Sequence, residues 1–101
     1  MREGRHDRAI EVWREVITLV GDSSTYYLRL AEAFAAAKRL DEAVAHFRKA
    51  IAMNAGPEAH RQLSAVYSEL GRTAESAQER QAYTEGRLND LRQRSGVTVN
   101  P

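Results

Sequence analysis

Apolar positions recur three and four residues apart along most of this chain. Ala9, Ile10, Trp13, Val16, Ile17 and Val20 form the first run, and Tyr27, Leu30, Ala31, Phe34 and Ala35 the second. Leu40, Ala43, Val44, Phe47, Ala50 and Ile51 form a third, and Leu63, Val66, Tyr67 and Leu70 a fourth. That spacing keeps one face of a 3.6-residue helix apolar and predicts four amphipathic helices. A fifth helix, from about 73 to about 94, offers only Ala74, Ala77, Tyr83, Leu88 and Leu91, a thin apolar face. Breakers separate the runs. Gly21-Asp22-Ser23-Ser24 reads as a stop followed by N-capping oxygens; Asn54-Ala55-Gly56-Pro57 ends one helix and pre-sets φ for the next; Gly71-Arg72-Thr73 repeats the device. Residues 95–101 have neither period nor length for an element and read as a disordered tail. The expected class is all-α.

The runs repeat. At a shift of 34, Arg5 falls on Arg39, Asp7 on Asp41, Ala9 on Ala43, Trp13 on Phe47 and Ile17 on Ile51. At a shift of 33, Tyr27 falls on His60, Leu30 on Leu63, Ala31 on Ser64 and Phe34 on Tyr67. Small residues meet small ones and aromatics mostly meet aromatics, which is the mark of a repeat architecture.

A helix–turn–helix unit of this period resembles the tetratricopeptide repeat, whose pattern runs W-x2-L-G-x2-Y, then A-x3-F, then P. The middle unit reads Tyr27-x2-Leu30-Ala31-x2-Phe34 followed by Ala43-x3-Phe47. The next reads His60-x2-Leu63-Ser64-x2-Tyr67, then departs, with Ser76 at the alanine position and Arg80 at the aromatic one. The first segment resembles a second helix alone, with Ala9-x3-Trp13. The expected organisation is one helical-repeat solenoid over 1–94: a lone second helix at 5–20, a full repeat at 24–56, and a full repeat with an extended capping helix at 57–94. Small residues such as Ala31, Ala43 and Ser64 suit close helix crossings, and Arg80 suits a solvent-facing cap. The lone helix leaves the stripe Val12, Trp13, Val16, Leu19 and Val20 without a cover. Either the chain is the C-terminal part of a longer array, or a second copy covers that stripe in a homodimer.

Composition narrows the chemistry. Lys plus Arg number 15 and Asp plus Glu 14, a formal net charge of +1 that argues against a nucleic-acid binder. From Arg72 to Arg94, five arginines interleave with Glu75, Glu79, Glu85 and Asp90, a solvated face and no phosphate track. With no cysteine, thiolate metal sites, disulfides and cysteine nucleophiles drop out. No apolar run has the length of a membrane span, and no apolar h-region follows Met1, so the expected compartment is the cytoplasm. Glu42 and His46, four apart, share a helix face but lack a third ligand, and His60 sits at an aromatic repeat position, where packing with one nitrogen wet is expected. Serines lack a nucleophile-elbow context. No enzyme activity, metal or cofactor is expected.

The resemblance implies a concave surface lined by the first helix of each unit. Mapped residue by residue, it carries Thr25, Leu28, Arg29, Glu32 and Ala36, then Glu58, Arg61, Gln62, Ala65 and Glu69. Members that capture chaperone carboxyl termini have Lys and Asn where this chain has Leu28 and Glu32, so that clamp is absent. Arg29 and Arg61 are expected to pair partner carboxylates, with Leu28 and Ala65 giving apolar contact. The expected function is a protein–protein interaction scaffold for a protein or peptide partner. The other readings are homodimerisation through the first helix and the regulatory end of a larger enzyme.

Overall fold

A computed structural model describes residues 2–96, with side chains from Gly4 onward. Five helices follow one another: α1 (Arg2–Val20), α2 (Ser24–Ala36), α3 (Leu40–Ala52), α4 (Pro57–Glu69) and α5 (Thr73–Ser95). Each packs on the next in chain order as antiparallel pairs, in a slab measuring 54 × 34 × 20 Å. A run of local contacts in one direction is how stacked repeats share a core that no single hairpin could bury.

The repeat positions fill that core. Ile10, Leu30, Phe34, Phe47, Leu63 and Tyr67 are its largest fully withdrawn side chains. Ala31 and Ala43 are also sealed from solvent, as are their counterparts Ser64 and Ser76 one period later. Ser64 Oγ donates to the Ser76 carbonyl at 3.0 Å, and Ser76 Oγ donates to the Ser64 carbonyl at 2.9 Å. The repeat extends to the backbone. Lys38 N–H bonds to Ala35 O and Arg39 N–H to Phe34 O, while Gly71 N–H bonds to Ser68 O and Arg72 N–H to Tyr67 O. These are Schellman closures, which need a left-handed residue; Gly71 has φ +76° and Lys38 φ +63°.

Three expectations need correcting. Ser23 stands at the N-cap of α2 but makes no side-chain cap bond. Asp22 Oδ1 accepts instead from the Tyr27 hydroxyl at 3.1 Å. Secondly, of the apolar residues read for the fifth helix, Ala74, Ala77, Leu88 and Leu91 are exposed and only Tyr83 is half-buried. The face of α5 that turns inward includes Ser76, Glu79, Tyr83, Gly86 and Asp90, spaced three and four apart, with Ala82 beside them; Tyr83 is its one large side chain. Gly86 lets α5 approach α4 closely: a Cβ there would sit 2.8 Å from Pro57 Cγ. Thirdly, Ser95 is the last residue of α5 and Gly96, at φ +71°, caps it. The rest of the expected tail, 97–101, lies outside the described residues.

Candidate partner-binding surface

Positions Thr25, Arg29, Glu32 and Ala36 follow one another on a face of α2, and Glu58, Arg61, Gln62, Ala65 and Glu69 on a face of α4. One contact ties these faces together, and a second runs from the turn after α2 to α4. Gln62 Nε2 donates to Glu32 Oε2 at 2.9 Å, and Lys38 Nζ lies 3.5 Å from Glu69 Oε2. The charges are balanced within the surface. Arg29 Nη1 donates to Glu32 Oε1 at 3.0 Å, and Arg61 donates through Nε to Glu58 Oε1 at 2.7 Å, with Nη2 on the same oxygen. The Arg61 hydrogen bond holds the Glu58 carboxyl below the usual carboxylate range. Both arginines expected to meet partner carboxylates therefore already have an acid on their own helix. Exposed pairs of this kind are weak, so exchanging one acid for a partner's costs little. Leu28 is half-buried and packs on the core, which leaves part of its side chain at the surface.

On α1, Leu19 is 76% exposed, Val20 68% and Val12 49%. Val16 is half-buried. Trp13 belongs to the fold as much as to the stripe: it packs against the core and stacks on Tyr26 with ring centres 6.1 Å apart.

His46 and His60 are both held by contacts within the chain. Glu42 is taken up by Arg39 at 2.7 and 2.8 Å, which depresses its pKa, and His46 Nδ1 donates to the Glu42 carbonyl at 2.8 Å. The His46 ring lies against Phe34 and Tyr27, at 4.8 and 6.3 Å between centres. The shared helix face of Glu42 and His46 thus does not bring carboxylate and imidazole together as a site. His60 does more than pack, since its Nδ1 lies 2.7 Å from Glu79 Oε1. Among the described residues, no group of three or more His, Asp or Glu is placed to hold a metal. The sequence reading missed the Glu32–Gln62 and His60–Glu79 pairs. Both join residues on different helices, and only the repeat offset between units would have brought the first pair into register.

A family model for the tetratricopeptide repeat matches residues 1–60, from α1 into the first turn of α4. This chain belongs to the tetratricopeptide repeat family. No curated protein and no solved structure matches it. Tetratricopeptide repeats generally serve as protein–protein interaction modules, and the match brings in no catalytic domain. No helix among the described residues of this repeat protein is long and apolar enough to cross a membrane.

Proposed function

We propose that this tetratricopeptide repeat chain is an interaction scaffold that receives a peptide or protein segment on the joined faces of α2 and α4. The observation that carries the reading is the Glu32–Gln62 bond, which makes one continuous surface of two units. Leu28, Arg29, Glu32, Arg61, Gln62, Ala65 and Glu69 are the contact residues of this reading. Because Arg29 and Arg61 are held only in exposed pairs with acids on their own helices, a partner carboxylate can replace either acid, while Leu28 and Ala65 receive an apolar residue of the bound segment. Rigid helices present these side chains, so binding needs little rearrangement. A peptide array probed with the wild-type chain and with Arg61→Glu tests it. Weaker binding of a subset of peptides by the variant is expected, and an identical pattern would retire the surface.

A second reading is favoured by the exposure of Leu19, Val20 and Val12: α1 pairs with α1 of a second copy. Light scattering over a range of concentrations tests this, with Leu19→Asp as the variant. Trp13→Asp is the poorer choice because Trp13 also supports the core. A dimer that survives Leu19→Asp does not use this face.

A further inference from the structure

The charges of α5 alternate along the sequence but are sorted in the structure. Glu75 is held by Arg72 at 2.6 Å, Glu79 lies 2.7 Å from His60, and Asp90 is half-buried in a hollow it shares with Ile51 and Pro57. Glu85 accepts from Gln81 at 3.2 Å. The four arginines of the helix, Arg80, Arg87, Arg92 and Arg94, are all exposed, and none makes a hydrogen bond or ion pair among the described residues. Arg87 acts only at a distance, adding to the field that lowers the Glu58 pKa.

The outer side of the same helix has the spacing of a helix-pairing seam. Ala77, Gln81, Thr84, Leu88 and Leu91 follow at intervals of four and three, and all five are exposed. Arg80 and Arg87 stand directly before Gln81 and Leu88, and Arg94 follows seven residues on, so the three form a row along one flank of the seam. Glu85 lies on the other flank, just after Thr84. Arg80 also stands where Phe47, fully buried, stands one period earlier. A position that carries a core aromatic in the preceding unit is charged here, so this face is not built to receive another apolar unit of the same kind.

We infer that the outer face of α5 docks an amphipathic helix of a partner protein that carries an acidic row beside its apolar residues. In a paired-helix contact flank meets flank, so the arginine row meets carboxylates while Leu88 and Leu91 meet apolar side chains. A second copy of α5 does not fit. Antiparallel pairing sets the arginine row against its own copy, and parallel pairing sets Arg87 against Arg92. A phosphate backbone would answer the arginines but leave both leucines in water. No residue of this face belongs to the peptide surface of α2 and α4, so either reading can fail without the other.

The test is an NMR titration of the whole chain with a synthetic helical peptide of about three heptads, leucine at its seam positions and glutamate on its flanks. Its counterpart with lysine on the flanks, phosphatidylserine-containing vesicles and duplex DNA are titrated in parallel. The glutamate peptide is expected to shift the backbone amides of α5 from Gln81 to Leu91. Lysine on the flanks, Arg87→Glu with Arg94→Glu, or Leu88→Ser with Leu91→Ser is expected to weaken binding about tenfold or more. Every substituted residue is exposed, so the circular dichroism of the variants is expected to match the wild type. Equal binding of the two peptides, or binding indifferent to either pair of substitutions, would overturn the assignment. So would stronger shifts from the vesicles or the duplex, shifts confined to α2 and α4, a self-association of the chain that Leu88→Ser with Leu91→Ser abolishes, or no shift at millimolar peptide.

Discussion

Ser64 and Ser76 bond each to the other's backbone carbonyl, at 3.0 and 2.9 Å, where α4 crosses α5. One period earlier the same positions are Ala31 and Ala43, both fully buried. The crossing therefore needs smallness first, and the hydroxyls add polar bonds to a contact that alanine also closes.

Substitutions there should separate the two requirements. Ser64→Ala and Ser76→Ala are expected to cost about 0.5–1.5 kcal/mol each, the usual net value of a hydrogen bond. Ser76→Val is expected to cost more, about 1–3 kcal/mol, because extra methyls overpack a closed crossing. Urea unfolding of the three variants measures this. Valine tolerated as well as alanine would show that the helices do not meet tightly at this point.

Gly86→Ala should run against helix propensity. In an open helical position the change gains about 1 kcal/mol. Here the new methyl would lie 2.8 Å from Pro57 Cγ and 3.0 Å from its Cβ, atoms of a ring that cannot swing aside. Gly4, also helical, has nothing within 4 Å of its built Cβ. Gly4→Ala is expected to raise the melting temperature or leave it unchanged, and Gly86→Ala to lower it. The same sign for both would contradict the close approach of α5 to Pro57.

Lys38 holds a left-handed conformation that its counterpart Gly71 adopts at no steric cost. Lys38→Gly is expected to stabilise by about 0.5–1 kcal/mol, since a side chain at that φ is strained. The Lys38–Glu69 contact, 3.5 Å between exposed groups, contributes too little to reverse the sign. Gly71→Ala should destabilise, and denaturant midpoints of both variants check the pair.

Acid should weaken the fold through Glu42 and Glu58. Hydrogen bonds from Arg39 and Arg61 lower their pKa values in the folded chain. A depressed carboxylate contributes stability above its unfolded pKa and loses it as pH falls through the folded one. The melting temperature is thus expected to fall between about pH 5 and pH 3, less steeply in high salt because both pairs are exposed. Glu42→Gln with Glu58→Gln should flatten that slope; an unchanged slope would assign acid sensitivity to other groups.

Helical period and repeat offset made α1 to α4 readable, because Phe34, Phe47 and Tyr67 are large, apolar and regularly placed. The inner face of α5 was hidden for the opposite reason. Ser76, Glu79, Gly86 and Asp90 pack through smallness and hydrogen bonding, which hydropathy does not register. Carrying Ala43 forward one period does mark Ser76 as an inward position, and from it the spacing leads to Glu79, Tyr83, Gly86 and Asp90. At the candidate surface the residue identities were legible. Their mutual neutralisation was less so: Arg29 to Glu32 and Glu58 to Arg61 are three-residue spacings visible in the chain, but Glu32 to Gln62 depends on how neighbouring units lie.

Gly86 meets α4 at its first residue, Pro57, so α5 continues past the helix that supports it, and Leu88 and Leu91 remain 45% and 52% exposed on that extension. Residues 91–96 of this extension are all exposed. Amide protons there should trade with solvent deuterons well ahead of those between Ser76 and Tyr83, giving one helix two lifetimes and a natural point at which proteases gain entry.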